Sequence, residues 1–231
     1  MRKYKWLLLD MDDTLFDYRR SEASALEMTC FEFLGLFTEE IHRKYDEVNK
    51  LGWKLFQEAK ISIEELKLNR FNELIKYIDA DCDISAEDMS SKYLENLGSQ
   101  SFLLDGAEDL VKLLSEEGYK LSIITNGIKK NQLSRIALSG IGNYFDHVIV
   151  SEDAGLAKPH KQFFDYAHQE IKFDRNESLV IGDNLESDIQ GGIDYQIDTC
   201  WFNLYNLPNA TSIEPDYEAK NFVELKNLLC S

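Results

Sequence analysis

Leu7-Leu8-Leu9-Asp10-Met11-Asp12-Asp13-Thr14-Leu15 reads as an apolar strand that runs directly into a group of carboxylates. A strand of a parallel sheet is apolar on both faces, and ligands of such sheets bind beyond the carboxyl ends of the strands. Asp10 falls at such an end. If extended geometry carries on past it, Asp10 and Asp12 point towards one cavity while Met11 faces the core, because side chains alternate along a strand. Two acids forced together have their proton affinities pushed apart, so one can serve as an ionised nucleophile and the other as a proton donor. That division of labour suits transfer of a phosphoryl group. An ordinary acidic turn is the competing reading, since Asp is common in turns and caps. A calcium loop is excluded: counted from Asp10, Leu15 and Ser21 stand where its glycine and its bidentate glutamate belong.

Working outward, no convincing strand occurs between Leu15 and Lys120. Instead Ser21 to Gly35, Thr38 to Ala59, Ile63 to Ile78 and Ser85 to Leu97 carry apolar residues at spacings of three and four, the pattern of amphipathic helices. Thr38 and Ser62, each followed by glutamates, read as helix starts. So long a connection within one sheet is abnormal, which predicts an inserted all-α domain over residues 16–98. Strand and helix periods then alternate. The reading is helix Ala107 to Glu117, strand Lys120 to Thr125, helix Lys129 to Ser139 and strand Val148 to Ser151. It continues with helix Gln162 to Ile171, strand Ser178 to Gly182, helix Ser187 to Tyr195, strand Thr199 to Asn203 and helix Val223 to Leu229. Such alternation predicts an α/β core over residues 1–15 and 99–231, with a doubly wound, Rossmann-like parallel sheet. Gly118 and Gly140 stand where helix ends favour glycine, and Leu207 to Tyr217 reads as a surface loop.

The 231 residues, 44% of them hydrophobic, suffice for one large domain or a core with an insertion. A formal charge of −17, from 42 acidic and 25 basic residues, argues against a nucleic acid polymer as partner, because gripping its phosphates needs a surplus of Lys and Arg. The N-terminal apolar run, Trp6 to Leu9, is far short of a signal-peptide core, and no stretch approaches a membrane span. Cys30, Cys82, Cys200 and Cys230 form no CxxC pair, and the expectation is reduced, mostly buried thiols in the cytoplasm. The four histidines lack HExxH-like spacing, which leaves a zinc hydrolase without support.

Three further strand ends carry groups for the same chemistry. Thr125-Asn126-Gly127 offers a hydroxyl, an amide and a flexible backbone that can hold phosphate oxygens, or else a turn that caps the next helix. Lys158, before Pro159, can neutralise both a phosphate and a nearby carboxylate. Asp183 can complete an all-oxygen magnesium site with Asp10, the Asp12 backbone carbonyl and waters. Asp188 either caps its helix or orients Lys158.

In order, Asp10-x-Asp12-x-Thr14, Thr125-Asn126, Lys158-Pro159 and Gly182-Asp183 with Asp188 resemble the four motifs of the haloacid dehalogenase (HAD) superfamily. The helical insertion is similar to its class 1 cap. The resemblance implies that Asp10 attacks phosphorus to form an aspartyl-phosphate, while Asp12 protonates the leaving alcohol and then activates water. It also implies that Thr125 and Lys158 hold the transferred group and that Asp183 helps bind Mg2+. The acid at Asp12 separates this chain from the dehalogenases that named the superfamily, which lack it.

Ile124 to Gly127, Val150-Ser151-Glu152, Ala157-Lys158-Pro159, Gly182 to Gly192 and Thr199 to Asn203 are similar to bacterial pyrimidine 5'-nucleotidases of this superfamily, as are Tyr45 to Trp53 and Arg70-Phe71. That likeness implies a nucleoside monophosphate as the small-molecule partner, a cap that closes over the nucleoside, and Asn49, Trp53 and Arg70 as cap residues to test. Against it, the helical spacing of Trp53 from Leu55 and Phe56 favours a core role over substrate contact, and Arg70 suits a solvated or salt-bridged side chain. A sugar-phosphate phosphatase, a phosphomutase and a catalytically inactive binding module are the alternatives. Monomer and homodimer stay open.

Overall fold

A computed structural model of the chain describes residues 3–78 and 84–230. Its elements run β1 (Trp6–Leu9), α1 (Tyr18–Leu34), α2 (Glu39–Gln57), α3 (Ile63–Ile78), α4 (Ala86–Gly98), α5 (Ala107–Glu116), β2 (Lys120–Thr125), α6 (Lys129–Ser139) and β3 (His147–Val150). They continue α7 (Ser151–Ala154), α8 (Lys161–Ile171), β4 (Ser178–Gly182), α9 (Gln190–Asp194), β5 (Asp198–Phe202), β6 (Tyr217–Ala219) and α10 (Phe222–Cys230). The strands form one sheet in the order β3-β2-β1-β4-β5-β6, with every neighbouring pair parallel. This is the doubly wound sheet expected from the alternation of periods.

The strand order explains where a ligand can sit. From β1 the chain moves outward through β2 and β3, then returns to the other side of β1 to lay down β4, β5 and β6. The direction of winding therefore reverses between β1 and β4, and a crevice opens at the carboxyl ends there. Leu7, Leu8 and Leu9 are wholly buried because β1 lies between β2 and β4 and is covered on both faces. Leu8 joins Ile124, Phe163, Phe164 and Val180 in a core cluster. Each buried leucine of this kind contributes about 1.5–3 kcal/mol, so the strand that delivers Asp10 is strongly anchored.

The chain divides into two compact units. One, Met1–Tyr18 with Phe102–Lys129 and Ser139–Ser231, contains the sheet; the other is Arg19–Ser101 with Lys130–Leu138. Within the second unit the helix starts are those the residues announce. Thr38 Oγ1 accepts from Ile41 N at 3.2 Å. Ser62 N donates to Glu65 Oε2 at 2.7 Å while Glu65 N donates to Ser62 Oγ at 3.2 Å, a reciprocal capping box. Segment Lys130–Leu138 belongs there through bonds such as Asn131 Nδ2 to Leu94 O, 2.7 Å, and Ser134 Oγ to Gly98 O, 2.8 Å.

Several boundaries differ from expectation for local reasons. Ser151 opens the short α7 instead of ending β3. The helix expected from Ser187 to Tyr195 is a π-helical turn, Leu185–Ile189, followed by α9. The expected surface loop ends one residue early, because Tyr217 begins β6, an edge strand with Glu218 exposed. Cys30 and Cys200 are free and buried, Cys230 is free but exposed, and Cys82 lies outside the described residues. No helix among the described residues is long and apolar enough to cross a membrane.

Candidate active site

Beyond β1 the chain folds back on itself in a tight turn. Leu15 N and Phe16 N both donate to Met11 O at 2.9 Å, and Asp13, in the left-handed region at φ 57, donates its N–H to Phe16 O at 2.8 Å. Met11 is wholly buried, Asp10 is 8% exposed, and Asp12 is half-buried on the same turn. The chain leaves extended geometry directly after β1, so the strand alternation expected across Asp10, Met11 and Asp12 gives way to a turn in which Asp10 and Met11 are both buried.

Lys158 ties the strand ends together. Its Nζ lies 2.6 Å from Asp10 Oδ1, 2.7 Å from Asp188 Oδ1 and 2.6 Å from Ile124 O, and the side chain is 1% exposed. The backbone around it is clasped by Asn126, whose Nδ2 donates to Lys158 O at 3.0 Å and whose Oδ1 accepts from Lys158 N at 2.7 Å. Asn126 was expected among the phosphate-binding groups; its side-chain amide is engaged in positioning Lys158. Thr125, 1% exposed, accepts from Gly127 N at 3.1 Å, the hydroxyl-turn alternative weighed for this motif. A hydroxyl oxygen that accepts in this way still carries its own O–H.

The expected helix-capping role of Asp188 falls to Asn184, whose Oδ1 accepts from Glu186 N and Ser187 N, both at 3.0 Å. Asp188 instead holds Lys158 and accepts from Asn184 N at 3.1 Å. Gly182 makes that possible: a Cβ there would lie 2.3 Å from Asp188 Oδ2. Gly182→Ala must push Asp188 off Lys158, and we expect a loss of about 1–3 kcal/mol of stability. Urea denaturation checks it, and an unchanged midpoint would show that the close approach does not matter.

Asp10, Asp183 and Asp188 each offer a carboxylate oxygen, and these oxygens lie within 4.8 Å of one another. Burial pushes Asp10 up to about 7; Lys158 pulls against this, and Asp188 and Asp12 add to it. Burial, with the charges of Asp10, Asp188 and Asp13, also holds Asp183 well above the ordinary carboxylate range. Burial disfavours the Lys158 ammonium, but Asp10 and Asp188 outweigh it and hold that group above its usual value. Once deprotonated, three carboxylates outnumber the one ammonium, and the ligand atoms offered are all oxygens, the set that suits a hard divalent cation. With Asp188 engaged by Lys158 and Asn184, Asp10 and Asp183 are the carboxylates better placed to ligate.

The residues singled out among the helices form a separate group. Arg70 is 2% and Asn49 5% exposed, and Arg70 Nη1 donates to Asn49 Oδ1 at 3.1 Å. The guanidinium lies 4.7 Å from the ring centroid of Tyr93, within an aromatic cluster of Tyr45, Phe71 and Tyr93. Trp53 is half-buried and packs edge-on against Phe56 of the same helix at 5.9 Å, outside the buried core.

Two site neighbours escaped the reading of the sequence. Trp201 Nε1 donates to Asp183 O at 2.8 Å, and Tyr205 Oη donates to Asp13 Oδ1 at 3.3 Å. Trp201 sits in an apolar strand run that reads as core. Tyr205 lies beyond the strand, with nothing local to mark it.

A family model of haloacid dehalogenase-like hydrolases matches residues 4–195. The HAD-hydrolase YfnB of Bacillus subtilis is 36% identical over 231 residues, 99% of this chain and 97% of its own length. The crystal structure of YfnB bound to magnesium resembles this one with a TM-score of 0.90, covering 99% of both chains. The pyrimidine 5'-nucleotidase PynA of Streptococcus pneumoniae is 37% identical over 227 residues, 98% of this chain and 95% of its own. The pyrimidine 5'-nucleotidase YjjG of Escherichia coli is 31% identical over 229 residues, 99% of each.

Proposed function

The chain belongs to the haloacid dehalogenase-like hydrolases and is a phosphatase of that family, and from that premise we propose a magnesium-dependent 5'-nucleotidase acting on pyrimidine nucleoside monophosphates. The observation that carries the phosphatase chemistry is the buried contact of Lys158 with both Asp10 and Asp188, beside the carboxylate of Asp183. The pyrimidine preference is supported by the full-length similarity to PynA and YjjG.

In this reading a carboxylate oxygen of Asp10 attacks phosphorus in line with the ester oxygen. The P–O bond to the nucleoside breaks, Asp12 gives its proton to the departing alkoxide, and phosphate is left on Asp10. Asp12, now a base, takes a proton from water as that water attacks phosphorus, which frees orthophosphate and restores Asp10. The Lys158 ammonium and the Thr125 hydroxyl, with the backbone N–H of Asn126, stabilise the charge spread over the transferring oxygens, while the Gly127 N–H holds the Thr125 hydroxyl oxygen in place. Magnesium held by Asp10, Asp183 and the Asp12 carbonyl would screen the anionic phosphate from the carboxylate that attacks it. The helical insertion, residues 16–98, is assigned substrate selection; Asn49 and Arg70, bonded to each other and almost wholly buried, support its helices and do not present free polar groups to the nucleoside.

The test is phosphate release across a panel of nucleoside monophosphates and sugar phosphates with added magnesium. We expect UMP and dTMP to exceed purine nucleotides and sugar phosphates in kcat/KM by at least about tenfold. Preference for a sugar phosphate removes the nucleotidase reading and leaves the phosphatase. Isomerised phosphorylated products instead of free phosphate would mark a mutase.

A further inference from the structure

Asp183 stands one residue beyond the end of β4, where its peptide has left the regular ladder. The peptide unit joining Asp183 to Asn184 is nonetheless held at both poles. Its carbonyl oxygen accepts from Trp201 Nε1 at 2.8 Å, and its N–H, that of Asn184, donates to Asp188 Oδ2 at 3.1 Å. Asp188 is in turn the carboxylate that holds Lys158.

We propose that Trp201 is a positioning residue for the divalent cation: its indole N–H fixes the plane of the peptide that carries Asp183 and so aims that carboxylate at the ion. The proposal rests on the magnesium reading of Asp10 and Asp183 given above.

Each part of the arrangement has a physical reason. An indole N–H donates and cannot accept, and a buried one needs a partner. Trp201 is 5% exposed, and the Asp183 carbonyl is that partner. The tryptophan is itself immobile, because β5 is laddered on both sides of it: Trp201 pairs in register with Gly182 of β4 and with Glu218 of β6. Its ring therefore transmits the position of the sheet to a carbonyl that the sheet no longer reaches. With this peptide plane set on one side of the Asp183 Cα and Gly182 held in β4 on the other, the direction of the Asp183 Cα–Cβ bond is set too, and few side-chain rotamers remain to be chosen. Outer groups that orient a ligand in this way are a recurrent means of tuning metal affinity.

Packing and hydrogen bonding at this position can be separated by two complementary variants. Trp201→Phe keeps an aromatic ring and removes the N–H. Trp201→His keeps a ring N–H at the corresponding corner and removes much of the volume. The experiment is calorimetric titration of Mg2+ into the wild type, Asp183→Asn and both Trp201 variants, without substrate, with urea unfolding of each.

Trp201→Phe is expected to bind Mg2+ about tenfold more weakly than the wild type, and Trp201→His close to the wild-type value despite lower stability. If Trp201 served only as packing, the order would reverse, with the histidine variant the weaker binder, and the proposal would be overturned. Equal affinity of Trp201→Phe and wild type overturns it as well. Should Trp201→Phe not fold, the histidine variant decides alone, since a loss of affinity there contradicts the role of the N–H. A wild type that binds no Mg2+, or an Asp183→Asn that binds it unchanged, overturns the metal reading itself. That outcome is distinct from one in which both hold and only the tryptophan proves indifferent.

Discussion

Asp10→Asn is expected to abolish phosphate release, with kcat lower by at least about 10⁴-fold, the scale seen when a covalent nucleophile is removed. The asparagine amide occupies the same space and can still accept from Lys158, but it has no anionic oxygen to attack phosphorus. Loss of folding does not explain the effect. Lys158 keeps Asp188 at 2.7 Å and Ile124 O at 2.6 Å, and one of the crowded carboxylates is gone. The unfolding midpoint of the metal-free variant is therefore expected at or above that of the wild type. Single-turnover release from a pyrimidine nucleotide, measured beside urea unfolding, checks both statements. Turnover above about 1% of wild type contradicts the nucleophilic role.

Lys158→Met is expected to damage both stability and turnover. Methionine is one atom shorter and fills most of the volume but leaves Asp10 and Asp188 buried with no cation between them. Breaking a buried ion pair by removing one partner costs about 3–5 kcal/mol. The carboxylates would relieve part of that cost by taking up protons, which removes the anionic nucleophile. With the ammonium also missing from the transferring oxygens, kcat should fall by about 10³-fold or more. A variant that unfolds with the wild-type midpoint, or that turns over within about tenfold of it, would show that Lys158 is not the hub the distances describe.

Much of this architecture can be read from the chain because burial leaves a direct mark on composition. β1, β2 and β4 are covered on both faces, so their residues form short apolar runs, and each run ends at a polar residue on the rim. The positions of Asp10, Thr125 and Asp183 at strand ends are therefore legible in the sequence. β6 left no comparable mark, since three residues at an edge with Glu218 outward have neither length nor alternation. The break between the π-helical turn and α9 was hidden for a different reason: the apolar spacing from Ser187 onward suits a continuous helix, while Asn184 caps the segment from further upstream.

The finer parts of the site depend on contacts between residues distant in sequence. The Asn126 clasp on Lys158 spans 32 positions, the Trp201 bond to Asp183 spans 18 and Tyr205 reaches Asp13 across 192. Asparagine after a strand reads as a turn residue, and nothing local distinguishes an amide that grips another loop from one that faces solvent. The two candidate roles of Asp188 were likewise indistinguishable until the approach to Lys158 and the cap at Asn184 were seen together.

The place of β1 in the sheet also governs how the chain matures. Leu9 is flanked by Ile123 and Ile181, both far downstream, so it has no ladder partner while the early part of the chain leaves the ribosome. At roughly 5–20 residues per second, Leu7–Leu9 waits on the order of ten seconds before Ser178–Gly182 has been made. Through that interval a bare apolar segment is available to chaperones and to wrong partners. The carboxylate of Asp10 is thus synthesised well before the strands that seat it.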